Sequence, residues 1–145
     1  MTFDEDYGQV SLLWFGLDRL GQWGIGEVRR NFLCWPTLPV YRSGQRPFAA
    51  KRADNVCRYS PVFRGERWRR LKIKDETRGP LVVEVKGARV HLMDAFNPDN
   101  NVSCPTDRRY WLVITRHIQT GEIKYFISNA PASVNLSSML RVAFA

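Results

Sequence analysis

Apolar residues change their spacing several times along the chain, and each change marks a different element. Met1 and Phe3 read as the tail of a β-strand that runs into Asp4, Glu5 and Asp6. Val10, Leu13, Trp14, Leu17 and Leu20 recur at helical spacing, and Gly21 offers the left-handed residue that closes a helix. Residues 22–28 read as a second strand, weakened by Gly24 and Gly26. Strand, helix and strand within so few residues predict part of an α/β unit. Residues 31–66 lose this regularity. Pro36, Pro39, Gly44, Pro47 and Pro61 interrupt every candidate element, which predicts a long loop or an irregular insertion.

From Trp68 onward the pattern is β-like. Residues 68–74 alternate in part, and residues 81–93 are rich in β-branched side chains. Gly87 leaves open whether the latter form one bent strand or two. Residues 110–116 and 123–128 predict two strands of a hairpin, joined by a short stretch ending in Thr120 and Gly121. Residues 97–105 read as a polar loop. Leu136, Met139, Leu140, Ala143 and Phe144 make one apolar stripe of a closing helix, with Ser133 or Asn135 as its N-cap. No Gly, Asn or polar final turn ends that helix, and the chain opens inside a strand, so the sequence reads as a fragment of a larger domain.

Composition narrows the class. At 145 residues, with 44% hydrophobic and 25% charged residues, the chain is ordinary for one globular domain and is not a disordered polymer. The longest apolar stretch, residues 10–17, is far short of the roughly 20 residues that cross a bilayer. The acidic start is the opposite of a basic signal-peptide opening, so no membrane association and a cytoplasmic location are expected. Cys34, Cys57 and Cys104 do not pair evenly and have no zinc-type spacing, which predicts buried reduced thiols.

Charge changes the picture more than composition does. The net charge is +8, and residues 41–74 hold 11 basic and 2 acidic residues. The remaining 111 positions are close to neutral, so the positive charge is concentrated as it is in proteins that meet a polyanion. Arg64, Arg67, Arg69, Arg70, Lys72 and Lys74, with Trp68 among them, are the candidate DNA-contacting residues. On a strand they would point to both faces, and the competing reading is a solvated edge whose charges deter strand pairing. His91 and His117 stand alone and predict structural roles. The five tryptophans predict packing, Trp35 beside Pro36 as a loop anchor. Ser128 and Asn129 read as turn chemistry between a strand and the last helix. No Ser-His-Asp set, phosphate-binding glycine loop or nucleotide fingerprint is present.

The run Asp4-Glu5-Asp6-Tyr7-Gly8, followed by the amphipathic helix and the strand ending Glu27-Val28, resembles the DDE transposases of bacterial insertion sequences. The match continues through residues 31–36, 41–45 and 63–70, then through Tyr110-Trp111-Leu112-Val113, residues 124–131 and residues 140–145. The resemblance covers essentially the whole chain in order. It implies an α/β to α+β fold: an incomplete ribonuclease-H-like domain with a mostly antiparallel β insertion. Residues 1–30 would be part of the core and residues 31–132 the insertion, with the basic segment 41–74. Residues 133–145 would start the helix that carries the family's glutamate.

The activity implied is DNA strand cleavage and transfer, for which two Asp and one Glu hold Mg²⁺ in the family. Only Asp4 matches a member of that set, as the second Asp, the metal ligand and catalytic residue. The competing reading of Asp4 is a solvated acidic terminus or a helix N-terminal cap. One carboxylate does not cage two Mg²⁺ ions, so the chain alone is expected to be inactive and to hold Mg²⁺ weakly. The alternative function is a non-catalytic DNA-binding module that antagonises a full-length transposase, with DNA and that transposase as partners.

Overall fold

A computed structural model describes residues 2–3, 11–38, 49–93 and 105–145. Its centre is a six-stranded sheet of order β1-β2-β8-β7-β6-β5. These strands are β1 (Thr2–Phe3), β2 (Ile25–Val28), β5 (Arg69–Glu76), β6 (Gly79–Met93), β7 (Pro105–His117) and β8 (Ile123–Ser128). β1 and β2 are parallel, and every other pairing in the sheet is antiparallel. The fold is therefore mixed α/β with a mostly antiparallel sheet. Hydrogen bonding continues without a break from β2 into β8, so strands from residues 1–30 and from residues 31–132 share one sheet.

Helix α1 (Ser11–Arg19) lies between the two parallel strands, the connection such a pair requires. It ends as its sequence predicts. Gly21 has φ 67°, its N–H donates to the Asp18 carbonyl, and the Gln22 N–H donates to the Leu17 carbonyl. That pair of bonds satisfies the last carbonyls of the helix. Trp14 and Leu17 are buried, but Leu20, expected on the same stripe, is 72% exposed because it lies beyond the last helical turn. The β7–β8 hairpin also forms as expected, with Gly121 at φ 73° in its turn.

Residues 31–66 differ from the irregular insertion their prolines suggest. They contain a two-stranded ribbon of β3 (Leu33–Cys34) and β4 (Lys51–Arg52), then α2 (Ala53–Tyr59) and α3 (Pro61–Arg64). Residues 39–48 of this stretch, and most of the expected loop at 97–105, lie outside the described residues; Pro105 itself begins β7. Pro61 is not a breaker here. It sits at the start of α3, where its missing N–H costs nothing. The two helices are short, and their anchoring comes from Ala53, Val56 and Phe63, all 0% exposed. Tertiary burial replaces the periodicity that a longer helix would have displayed.

The sheet is covered on both faces. One face packs against α1, α2, α3 and the β3–β4 ribbon through Trp14, Val56, Phe63, Val90, Leu92 and Leu112. The other carries α4 (Leu136–Ala143), which buries Leu136, Met139 and Leu140 against Ile25, Val83 and Val113. β6 is a single 15-residue strand that changes its buried face midway. Leu81, Val83 and Val85 lie under α4, whereas Val90 and Leu92 lie on the opposite side. Gly87 marks the changeover. A Cβ there would stand 2.6 Å from Leu136 Cδ2. Asn135 caps α4 by accepting from the Ser138 N–H (2.8 Å).

Candidate nucleic-acid interface

β5 is an edge strand of the sheet, and its residues 70–73 alternate basic with apolar. A bulge between Lys72 and Lys74 then shifts the alternation. Arg69 pairs across from Val85 and Lys74 from Leu81, residues of the α4 face; Arg70 pairs with Glu84 and Lys72 with Val82, on the other face. Basic side chains thus occur on both faces of the strand. Arg64 and Arg67 are exposed in the approach to it from α3.

The candidates are not equivalent. Lys72 pairs with Asp75 (2.9 Å) and Lys74 with Glu76 (3.9 Å), both highly exposed and worth little to stability. Lys74 Nζ also donates to the Phe144 carbonyl at the end of α4 (2.8 Å), a favourable place for a cation beside the helix C-terminus. That bond supplies the terminal partner that no local signal in residues 140–145 announces. Trp68 is half-buried, with the Arg116 guanidinium 4.4 Å and the Lys86 ammonium 5.0 Å from its ring centroid. Its ring is a packing platform for cations of the fold. Arg64, Arg67, Arg69 and Arg70 have no ion-pair partner among the described residues. Asp4 lies outside the described residues, and so does Cys104.

A second group of cations was not apparent from sequence. Arg30 follows β2, Arg58 lies in α2, Lys86 in β6 and Arg116 in β7, and together they line a cleft of about 520 Å³. No two of these residues are close in the chain, so no run or motif could have announced them. Tyr125 lines the same cleft, and burial, followed by the neighbouring Cys57 and Asp54, raises its phenol above the ordinary range. Burial alone pushes the Cys34 thiol up to about 12. Burial, then Cys34 and Asp54, pushes the Cys57 thiol up as well. Both are free thiols kept in their neutral, unreactive form.

The remaining singled-out residues are structural. His91 is buried with Nδ1 2.7 Å from the Thr106 carbonyl, so that nitrogen carries the proton. His117 Nδ1 accepts from the N–H groups of Gln119 and Thr120 in the hairpin turn. Trp14 and Trp35 are buried in the core, and Trp35 bridges to His91 through its backbone. Ser128 and Asn129 do more than turn the chain. The Ser128 hydroxyl donates to the Gly24 carbonyl (2.6 Å), and Asn129 binds Gly24, Gln22 and Asp18. Asp18 also accepts from Tyr110 Oη (2.8 Å) and pairs with Arg108 (3.0 Å), tying α1 to the end of β7.

Among the described residues, no three His, Cys, Asp or Glu side chains come together as a metal cage. Among them also, no helix is long and apolar enough to cross a membrane. Comparison of the chain with protein-family models, with curated proteins and with solved structures finds no match.

Proposed function

We propose that residues 1–145 are the second half of the catalytic domain of a DDE transposase, an enzyme that cuts and transfers DNA strands, built on a ribonuclease-H-like core. One observation carries most of this reading. The Thr2 hydroxyl donates to the Val142 carbonyl (2.8 Å), so β1 and the last turn of α4 are neighbours across 140 residues. Thr2 stands two positions before Asp4 in the chain, and the family's glutamate follows the stretch matched by Val142-Ala143-Phe144-Ala145. That contact supports a reading in which the segments leading to the second Asp and to the Glu lie near one another. The β1–α1–β2 crossover supports the same reading, since it supplies the parallel part of such a core.

In this reading Asp4 is one of three metal-binding carboxylates, Mg²⁺ is the expected metal, and the other two carboxylates lie on polypeptide outside residues 1–145. Sequencing the DNA on either side of the coding frame tests it. An aspartate on a preceding strand pattern and a glutamate soon after residue 145, in any frame, are the expected finding; unrelated sequence on both sides overturns the assignment. The polypeptide of residues 1–145 should itself show no Mg²⁺-dependent nicking of supercoiled DNA. Nicking that disappears in Asp4→Ala would contradict its inactivity alone.

A second reading is favoured by the β5 edge: a DNA-holding module that interferes with a full-length transposase. Four arginines without ion-pair partners, on and beside a strand with an open side, suit phosphate contacts that position DNA without reading its sequence. Each of Arg64, Arg67, Arg69 and Arg70 that meets a phosphate should lower the slope of log K against log salt by about 0.9 when replaced by Gln. Gel-shift titrations over a range of salt concentrations measure this slope, and an unchanged slope in the quadruple variant removes the edge as the DNA contact.

A further inference from the structure

We propose that the cleft between α2 and the sheet is a phosphate-binding pocket, one that takes the terminal phosphate or diphosphate of a nucleotide or of a polynucleotide strand. It needs neither Asp4 nor the arginines of the β5 edge, and so stands apart from the transposase reading. Three elements and the turn after β2 each send one cation into its lining: Arg58, Lys86, Arg116 and Arg30. The carboxylate that shares the lining, Asp54, is taken up by a two-bond pair with Arg52 (3.1 and 2.9 Å). Arg116 has Glu84 at 2.9 Å, but Arg30, Arg58 and Lys86 have no ion-pair partner among the described residues.

Like charges are held together here against their repulsion. The Lys86 and Arg116 head groups lie within 5.0 Å of one ring centroid, that of Trp68. They are therefore closer than the screening length of about 10 Å at 0.1 M salt. Lys86 is also half-buried, and a partly desolvated cation without a counter-charge is costly. The lining carries four positive charges against one negative. A phosphate monoester, at about −1.5 to −2, fits that excess better than a single carboxylate does. Arginine forks grip phosphate oxygens in pairs, and a lysine adds a compact point charge. The cleft of about 520 Å³ has room for the group, and an adjoining groove that shares Arg30 and Tyr125 lets the rest of the ligand leave.

The experiment is calorimetric titration of the full chain with pyrophosphate, then with one short deoxyoligonucleotide carrying either a 5′-phosphate or a 5′-hydroxyl. Saturable one-to-one binding of pyrophosphate is expected, weakened at least tenfold in Lys86→Gln. Arg58→Gln, on an exposed position of α2, repeats the test without touching the sheet. Arg69→Gln/Arg70→Gln should bind as the unaltered chain does. A gain from the 5′-phosphate assigns a strand end as the source, and no gain assigns a free nucleotide. Absence of saturable binding overturns the proposal, and so does an equal loss in the β5 variant, which would reduce the effect to diffuse surface charge.

Discussion

Asn129→Ala should lower the unfolding free energy by about 3 kcal/mol, the sum expected for several lost hydrogen bonds plus a stranded buried donor. Asn129 is 2% exposed, and its side chain makes three bonds. Its Oδ1 accepts from the Gly24 N–H (2.8 Å), and its Nδ2 donates to the Gln22 carbonyl (2.9 Å) and to Asp18 Oδ1 (2.8 Å). Gly24 is itself buried, so alanine leaves its N–H with neither protein nor bulk water. The loss spreads, because Asp18 also holds Arg108 and Tyr110, and α1 loses one of its ties to the sheet. Asn135→Ala is the internal comparison. It removes the same side chain from an exposed cap with one bond, and should cost about 1 kcal/mol. Urea unfolding of both variants decides the matter; equal midpoint shifts would mean that burial of the network adds nothing.

These two asparagines also show which parts of the fold the sequence discloses. Asn135 stands immediately before an apolar stripe, so its cap is a local event and can be read directly. Asn129 stands at the same kind of position, after a strand, and reads as turn chemistry. Its partners Asp18, Gln22 and Gly24 lie more than 100 positions away, which no local pattern encodes. The same distinction runs through the other elements. α1 and the β7–β8 hairpin bury one stripe or one turn each and were legible. β6 was ambiguous because its two halves bury opposite faces, so the alternation reverses at Gly87. α2 and α3 were hidden because helices of seven and four residues carry too few periods.

For the candidate interface the same reasoning applies. The basic run from Arg64 to Lys74 is contiguous and therefore visible. Its sorting into arginines without ion-pair partners, a lysine that secures α4 and a tryptophan that stacks against cations depends on the bulge in β5 and on residues from β6, β7 and the chain end. The cleft cations come from four separate stretches of chain and leave no trace in linear order.

Gly87→Val should destabilise the protein by about 2 kcal/mol, in the usual range for an overfilled core. Strand propensity argues the other way, since valine suits a strand better than glycine by up to about 1 kcal/mol. Geometry decides against propensity. The first added carbon alone would meet Leu136 Cδ2 at 2.6 Å, Leu136 Cδ1 at 3.4 Å and Trp111 Cε3 at 3.5 Å. Leu136 opens α4, and its backbone is held in place because Asn135 caps the helix and Met139 and Leu140 are fully buried one turn on. Relief takes a turned Leu136 side chain, a shift of the helix off the sheet, or both. A double-mutant cycle isolates the contact: Gly87→Ala and Leu136→Ala should each destabilise alone, yet the pair together should be better than additive by about 1 kcal/mol. Strict additivity would mean that the close approach costs nothing. Because Thr2 bonds to Val142 in the last turn of α4, a displaced helix should also release β1, the strand that leads to Asp4. Hydrogen exchange at the Ile25 amide should then quicken in Gly87→Val, because Gly24 bonds toward β8 and the next amide along β2 turns to β1; protection unchanged there would show that helix and strand are not coupled.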